Sequence, residues 1–197
     1  MFQFLESICL DGEGFPLLEY HQKRVNRVFK EVYGHVSPLV LEDIIPSEIP
    51  GSSIRKVRVL YGERQHQIEI HPYVRKKINS LQLVTSDTID YGYKYADRVE
   101  LGQLFEQRNS ADDILIVKNG LLTDTCYANI ALLKNNVWHT PEEPLLPGVR
   151  RAKLLEEGQI IPTAIRTEDL AQFERLSLFN AMIDLGEVLI PIGNVIY

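Results

Sequence analysis

Short segments in which apolar and polar residues alternate limit the possible folds of this chain more than any other feature. Lys56–Tyr61 and Gln67–His71 alternate with a period of two and flank a polar turn that contains Gly62, which predicts a β-hairpin. Asn119-Gly120 and Asn135-Asn136 lie between later segments of this kind, and such pairs tolerate the positive φ of tight hairpin turns. We therefore also predict an antiparallel meander further along the chain. The other predicted strands are Leu81–Val84, Asp113–Lys118, Thr125–Lys134, Val137–His139, Leu176–Phe179 and Val188–Ile192.

Helical segments lie between these strands. Apolar positions recur at helical spacing from Leu17 to Val32, and Gly34 follows as a helix terminator. Tyr95–Arg108 and Gly148–Glu157 have the same period, which predicts two further helices.

This mixture of mostly antiparallel strands and intervening helices predicts an α+β fold in two subdomains. We assign residues 1–85 to a smaller N-terminal subdomain and residues 86–197 to a larger C-terminal one, with the polar stretch Thr85–Asp90 as the connection. Within the first subdomain, a Pro-rich segment, Ser37–Pro50, precedes the predicted hairpin.

Composition excludes several classes of partner. The chain has 197 residues, 45% of them hydrophobic, and a net charge of −6, so it repels nucleic acid and anionic membranes. The N-terminus lacks the basic region of a signal peptide, and no apolar run approaches the roughly 20 residues that span a bilayer. We expect a cytoplasmic protein. Cys9 and Cys126 are far apart, which predicts buried, reduced thiols and no metal site.

Several separated motifs together indicate a family. They are Phe4–Ile8 with His21–Arg24, Tyr93–Arg98, Gly120–Ile130, Thr140-Pro141 with Leu145–Arg151, and Ser177–Met182. Their combination resembles the class IV aminotransferases, the fold-type IV enzymes that carry pyridoxal 5'-phosphate (PLP). The family includes branched-chain and D-amino acid aminotransferases and aminodeoxychorismate lyase. The resemblance covers nearly the whole chain, although the chain is shorter than most members around residues 45–85.

Lys94 is the residue that the resemblance identifies as the Schiff-base lysine for PLP. A free lysine is neutral in only about one molecule in 2,500 at pH 7, so a base of this type needs burial or covalent attachment. The arginine of the family's H-x-x-R helix binds the cofactor phosphate, which assigns that role to Arg24. Positions 21, 24, 25 and 28 share one helix face, where an unpaired cation is costly, and a bound dianion would remove that cost.

The segment Gly120–Ile130 resembles the family's motif G-x-x-T-E-x-x-x-x-N. Its acidic residue faces the pyridine nitrogen of PLP and keeps it protonated, which implies that role for Asp124, where most members have glutamate. Asn129 is expected to support the geometry without taking part in a chemical step.

A phosphate-binding cup is implied by the last two motifs. Gly148 and Val149 match the start of a helix whose free N–H groups and dipole favour a phosphate. Arg150 occupies a position where the family usually has threonine, and it is expected to contact the cofactor or a substrate carboxylate. Ala181 and Met182 are expected to complete the cup through their backbone.

The reaction stays open between alternatives. Arg98, four residues after Lys94, resembles the K-x-x-N-R pattern of aminodeoxychorismate lyases, and Asn180–Met182 favours the same subgroup. This implies conversion of 4-amino-4-deoxychorismate to 4-aminobenzoate and pyruvate, a step of folate biosynthesis. An aminotransferase for D- or branched-chain amino acids and a PLP-binding protein with little turnover are the alternatives. The resemblance also implies a homodimer and a carboxylate-bearing amine substrate, with Arg98, Arg150 and Arg58 as candidates for binding its carboxylates.

Overall fold

The computed structural model describes residues 3–46 and 54–197 and confirms the mixed α+β class. Residues 47–53, which include part of the predicted Pro-rich connection, lie outside the described residues. The chain divides into two compact units: unit 1 comprises Met1–Arg75 with Tyr93–Asp97, and unit 2 comprises Lys76–Gly92 with Arg98–Tyr197. The predicted boundary after residue 85 therefore lies ten residues beyond the first point of division.

Unit 1 contains a three-stranded antiparallel sheet in the order β1-β2-β3. The predicted hairpin is confirmed as β2 and β3, which pair from Arg55 opposite Pro72 to Tyr61 opposite His66. The apolar side chains that join the core of the unit lie at alternate positions, as expected for strands whose side chains point to opposite faces in turn: Phe4 and Ile8 on β1, and Val57, Val59 and Tyr61 on β2. The strands are β1 (Phe4–Leu10), β2 (Arg55–Tyr61) and β3 (His66–Pro72).

Helix α1 (Leu18–Val28) packs on this sheet and continues as a π-helical turn, Phe29–Tyr33. Gly34 ends it at φ 76°, a left-handed conformation that glycine adopts without a Cβ penalty. The predicted helix and its terminator are thus confirmed. A short helix, α2 (Leu41–Ile44), follows in the same unit.

Unit 2 contains a four-stranded sheet in the order β12-β4-β5-β6 and a five-stranded sheet in the order β11-β10-β7-β8-β9. The four-stranded sheet is mostly parallel, since β4 pairs in parallel with both β5 and β12. Its strands are β4 (Leu81–Thr85), β5 (Asp113–Lys118), β6 (Leu121–Leu122) and β12 (Val195–Ile196). Those of the five-stranded sheet are β7 (Asn129–Lys134), β8 (Val137–Pro141), β9 (Ile161–Thr163), β10 (Arg175–Asn180) and β11 (Ile183–Pro191).

The predicted antiparallel meander is wrong. The Asn119-Gly120 and Asn135-Asn136 turns do form, with Asn119 at φ 52° and Asn136 at φ 61°, but their two hairpins belong to different sheets. The chain leaves one sheet at β6 and enters the other at β7, because Thr123–Ala128 forms an irregular segment instead of the start of a strand. This irregular segment carries Asp124.

Two helices of unit 2 differ in how well the pattern predicted them. Helix α4 (Val149–Glu156) is confirmed, and it packs against β10 with Ala131, Leu154 and Phe179 in one apolar cluster. Helix α3 (Val99–Phe105) begins four residues later than predicted. In the described part of the chain, no helix has both the length and the apolar character needed to cross a membrane.

Candidate active site

Lys94 lies in an extended segment along β1, and the predicted helix start at Tyr95 is wrong. The Leu5 N–H donates to the Lys94 carbonyl at 3.0 Å, and the Ala96 N–H donates to the Gln3 carbonyl at 2.8 Å. The ring of Tyr95 stacks on Phe4 with centroids 5.5 Å apart. This segment therefore pairs with β1 instead of forming the helix that its pattern predicts. The pairing fixes the position of the backbone that carries Lys94.

Arg24 has a counterion that the sequence analysis missed. Its Nε donates to Glu6 Oε1 at 2.9 Å and its Nη2 to Glu6 Oε2 at 2.5 Å. His21 Nδ1 lies 2.5 Å from the same Oε2 atom. Glu6 and His21 are 0% exposed and Arg24 is 8% exposed. The premise that Arg24 needs an external anion is therefore wrong, because a buried carboxylate already pairs with its guanidinium.

The charge state of this cluster follows from its contacts. Burial alone would raise the pKa of Glu6, but the charge of Arg24 and hydrogen bonds from His21 and Arg24 lower that pKa to about 2. Burial lowers the pKa of His21 below its ordinary value, against the opposing effect of the Glu6 carboxylate. At neutral pH the cluster thus combines an ionised Glu6, a neutral His21 and a charged Arg24.

The Glu6 signal was present in the sequence. Glu6 is the acidic residue between Phe4 and Ile8, and these three positions share one face of β1 because strand side chains alternate. An acidic side chain on an otherwise apolar face needs a buried partner. The same reasoning that placed His21 and Arg24 on the apolar face of α1 could have paired them with Glu6.

Asp124 is a buried carboxylate in unit 2, 4% exposed. Its Oδ1 accepts from Asn129 Nδ2 at 2.8 Å, and its Oδ2 accepts from the Leu146 N–H at 2.9 Å. Asn129 Nδ2 also donates to the Leu146 carbonyl at 2.9 Å. The supporting role predicted for Asn129 matches these contacts, since its amide joins the Asp124 side chain to the loop before α4.

The pKa of Asp124 differs from that of Glu6 in direction. Burial raises the pKa of Asp124 to about 6, against the lowering effect of its hydrogen bonds to the Leu146 N–H and Asn129. Amide donors offset less of the burial cost than a guanidinium does. Asp124 can therefore exchange a proton close to neutral pH, which suits a carboxyl group that shares a proton with a ring nitrogen.

Gly148 is required by packing against Asn129. A Cβ at position 148 would lie 2.0 Å from Asn129 Oδ1 and 3.2 Å from its Cγ. The Asn129 amide is held by two hydrogen bonds and cannot move aside without breaking them. The close approach of Asn129 therefore requires glycine here, in addition to the approach of a phosphate that the motif implies.

The N-terminus of α4 has free donors. Gly148 is its N-cap residue and makes no side-chain cap, and the first intrahelical bond that closes on it runs from the Ala152 N–H to the Gly148 carbonyl at 2.9 Å. The N–H groups of Val149, Arg150 and Arg151 precede that bond and have no partner within the helix. Such a helix end favours an anion.

The Arg150 side chain contacts the β10–β11 turn. Its Nε donates to the Asn180 carbonyl at 3.3 Å, its Nη2 to the Ala181 carbonyl at 3.4 Å, and its Nη1 lies 2.5 Å from Asp184 Oδ1. The Met182 N–H, predicted to face the cofactor, donates to Asn180 Oδ1 at 2.8 Å. Protein groups thus satisfy the guanidinium and the Met182 amide.

The remaining candidates for binding a substrate carboxylate also have protein partners. Arg98 Nη2 donates to the Cys126 carbonyl, and its guanidinium lies 5.9 Å from the centroid of the Tyr91 ring. Arg58 Nη1 lies 2.6 Å from Glu69 Oε2. Cys126 and Cys9 are buried and reduced, as predicted.

The predicted site residues fall into two groups. Unit 1 holds Arg24 and Lys94, while unit 2 holds Arg98, Asp124, Gly148, Val149, Arg150, Ala181 and Met182. The chemistry of these groups fits PLP: an amine, a guanidinium and free helix N–H groups suit an aldehyde and a phosphate, and a buried carboxyl with a raised pKa suits a pyridine nitrogen.

Comparison with known proteins identifies the relatives of this chain. The family model for class IV aminotransferases matches residues 92–189. An uncharacterised protein of Haemophilus influenzae is 34% identical in an alignment of 186 residues that covers 92% of this chain and 98% of the relative.

Solved structures give the same result. A Haemophilus somnus 129PT protein, provisionally named a 4-amino-4-deoxychorismate lyase, has a TM-score of 0.87 and 33% identity, covering 94% of this chain and 98% of its own. A provisionally named amino-acid aminotransferase of Mesorhizobium loti has a TM-score of 0.80 at 21% identity, covering 97% and 98%. A Mycobacterium tuberculosis protein described as a hypothetical aminotransferase, in its PLP-bound form, shares the fold, with a TM-score of 0.73 at 15% identity, 95% coverage of this chain and 80% of its own. The chain therefore belongs to the class IV aminotransferase family, a family of enzymes with the fold-type IV architecture.

Proposed function

We propose that this protein is a PLP-dependent lyase that converts 4-amino-4-deoxychorismate to 4-aminobenzoate and pyruvate. The observation that carries the proposal is the 33% identity, over 94% of this chain, to the Haemophilus somnus protein with that provisional name. Arg98 adds support, because its spacing from Lys94 resembles the lyase pattern.

In this proposal the residues that the family resemblance names would hold the cofactor. Lys94 would hold its aldehyde, Arg24 and the α4 N–H groups that follow Gly148 would hold its phosphate, and Asp124 would pair with its pyridine nitrogen. The backbone N–H groups of Ala181 and Met182 would complete the phosphate site, for which Met182 would exchange its present bond to Asn180 Oδ1. Bound PLP supplies an electron-accepting ring that stabilises negative charge at the substrate atoms next to its nitrogen.

Lys94 and Asp124 have distinct proton roles. Lys94 would remove the ring proton of the substrate and return a proton to the departing three-carbon group, which leaves as pyruvate while the ring becomes aromatic. Asp124 holds a proton at the pyridine nitrogen, consistent with its pKa of about 6. Arg98 and Arg150 are proposed to bind the two substrate carboxylates, for which each would exchange part of its present contacts.

An aminotransferase for D- or branched-chain amino acids is the second candidate. The family description and the TM-score of 0.80 to the Mesorhizobium loti protein favour it. Its reaction needs a keto acid as amino acceptor, whereas the lyase needs no second substrate. A PLP-binding protein with little turnover is the third candidate.

We also propose that the protein acts as a homodimer in the cytoplasm.

The deciding experiment is a product assay with purified, PLP-loaded protein. With 4-amino-4-deoxychorismate and no keto acid, the lyase proposal predicts fluorescent 4-aminobenzoate and an equal amount of pyruvate, both lost in Lys94→Ala. Product that forms only from an amino acid and a keto acid would replace the lyase with the aminotransferase. Absence of product from both substrate classes, with PLP bound, would favour the non-catalytic alternative.

A further inference from the structure

Glu6 lies at the centre of a buried polar cluster. The sequence motifs assign no role to this residue. One carboxylate accepts from two side chains of α1: Arg24 binds both its oxygens, and His21 Nδ1 lies 2.5 Å from Oε2. An exposed carboxylate can exchange its partners for water, but Glu6 is 0% exposed and cannot. The position of the Glu6 carboxylate therefore determines the side-chain orientations of Arg24 and His21.

The contacts also fix where the His21 proton lies. An ionised carboxylate only accepts hydrogen bonds, so Nδ1 must carry the hydrogen of the short contact to Glu6. A neutral ring then has a bare Nε2, and the low pKa of His21 keeps the ring neutral. Nε2 is buried and has no hydrogen-bond partner among the described residues. Glu6 thus holds an unpaired acceptor in the interior of unit 1.

The same strand connects this cluster with Lys94. Leu5, the neighbour of Glu6 on β1, donates its N–H to the Lys94 carbonyl at 3.0 Å. The positive charge of Lys94 contributes to lowering the pKa of His21, so its amine lies within electrostatic reach of the imidazole ring. One short stretch of β1 therefore positions both the lysine backbone and the Arg24 guanidinium.

We propose that Glu6 is a positioning residue that orients Arg24 for the cofactor phosphate and holds His21 as the Nδ1–H tautomer. This inference rests on the proposed function, because it assigns Arg24 to the phosphate of PLP. Glu6 itself touches neither cofactor nor substrate and acts through its two partners.

Charge and orientation make opposite predictions for the removal of Glu6. The charged and titratable groups that act on this cluster are Glu6, Arg24, His21, Lys94 and the Tyr61 hydroxyl on β2. Replacing Glu6 by glutamine removes the anion and makes the cluster more positive, which by itself strengthens phosphate binding. Loss of the bidentate contact frees the guanidinium, which weakens phosphate binding. Tighter PLP binding in Glu6→Gln would show that the charge effect dominates, and weaker binding that the orientation effect dominates.

The affinity test compares Glu6→Gln with Glu69→Gln. Glu69 is a matched control, because it pairs with Arg58 at 2.6 Å in the same sheet but is half-buried. Equilibrium dialysis measures the affinity for PLP and for pyridoxal, which lacks the phosphate. We expect Glu6→Gln to weaken PLP binding by about tenfold or more, while pyridoxal binding and the control change by less than about twofold. Unchanged or tighter PLP binding, or an equal loss for pyridoxal, would overturn the positioning role.

The tautomer test needs no variant and still decides if Glu6→Gln fails to fold. In ¹⁵N-histidine NMR spectra of the cofactor-free wild-type protein at pH 7.5, His21 should have a protonated Nδ1 and a bare Nε2. A protonated Nε2 with a bare Nδ1 would contradict the assigned contact and overturn the inference. In Glu6→Gln, if it folds, the spectrum should shift towards the other tautomer, because the glutamine amide can donate to Nδ1.

The two proposals fail in different ways. Wild-type protein that binds no PLP would overturn the proposed function and the phosphate part of this inference, whereas the histidine spectrum would still decide the role of Glu6 towards His21. Wild-type protein that binds PLP through Lys94, with no loss of affinity in Glu6→Gln, would leave the proposed function intact and overturn this inference alone.

Discussion

Two buried carboxylates, one in each unit, have opposite electrostatic properties. Glu6 in unit 1 binds a guanidinium, and its pKa is lowered to about 2. Asp124 in unit 2 binds only amide groups, and its pKa is raised to about 6. Both are almost fully buried, so the charge of the partner decides whether a buried acid stays ionised. A permanently ionised acid suits a positioning role, and an acid that titrates near neutrality suits proton exchange.

The largest effect should come from removing the Glu6 charge. Glu6→Gln leaves the Arg24 guanidinium buried without its counterion, which costs about 3–5 kcal/mol of unfolding free energy. Asp124→Asn removes no hydrogen-bonded cation, since Arg151 acts on Asp124 only through its charge, and it should cost within about 1 kcal/mol at pH 7. Urea unfolding of the two cofactor-free variants measures both. Equal losses of unfolding free energy in the two variants would show that the charge of the partner does not set the contribution of a buried carboxylate.

The pH dependence of stability should sharpen the comparison. The folded pKa of Asp124, about 6, lies above its ordinary value of 3.8, so its stabilising contribution is present below pH 3.8 and lost as pH rises through 6. Relative to Asp124→Asn, the cofactor-free wild type should lose about 2 kcal/mol between pH 4.5 and 7. Comparison with the variant removes the opposite contribution of His21, whose lowered pKa makes stability rise over this range.

Glu6 should contribute in the opposite sense and in another range. Its folded pKa, about 2, lies below its ordinary 4.5, so its stabilising contribution is present above pH 4.5 and lost as pH falls towards 2.

For Asp124, the contradicting result would be a difference in unfolding free energy between wild type and Asp124→Asn that stays constant from pH 4.5 to 7.

Gly148 tests how rigidly the Asp124 cluster is held. Gly148→Ala places a Cβ 2.0 Å from Asn129 Oδ1 and should cost about 1–3 kcal/mol. Gly102→Ala, in α3 with no atom within 4 Å of the new Cβ, should instead stabilise by about 0.5–1 kcal/mol. Thermal unfolding of both variants gives the difference, and a neutral Gly148→Ala would mean that Asn129 moves freely.

The smallest effect should come from the Arg150–Asp184 contact. Asp184 is 59% exposed, so Asp184→Asn should cost only about 0.2–1 kcal/mol, less at high salt. Arg150 keeps its contacts to the Asn180 and Ala181 carbonyls in this variant. Chemical unfolding at low and high salt measures the change, and a loss as large as that of Glu6→Gln would show that exposure does not weaken this pair.

Local patterns predicted the parts of the fold that depend on neighbours in sequence. Helix α1 with Gly34, helix α4 and the β2–β3 hairpin follow from periodicity and turn residues within short windows. The division of the strands between two sheets does not, because the pairing of β4 with β5 and of β7 with β10 joins distant segments. The predicted helix start at Tyr95 failed for the same reason. Tyr95 stacks on Phe4, which is distant in the sequence.

The candidate site was predicted in its residues more than in its contacts. Motif resemblance selected Arg24, Lys94 and Asp124, and the structure buries Arg24 and Asp124. Glu6 was missed because motif comparison gave it no role, although its position between Phe4 and Ile8 predicts a buried charge. The partners of Arg150 could not be predicted, because the carbonyls of Asn180 and Ala181 carry no signal in side-chain patterns.

The measurement that tests the central claim most directly is the visible absorbance of the purified protein with PLP, beside Lys94→Ala and the control Lys134→Ala, which removes a half-buried lysine paired with Gln172. The account predicts a visible absorbance band that wild type and Lys134→Ala share and Lys94→Ala lacks, with the band removed by borohydride reduction that leaves PLP covalently attached at Lys94. A band that persists in Lys94→Ala, or its absence from the wild type, would contradict the assignment of Lys94 as the residue that carries the cofactor.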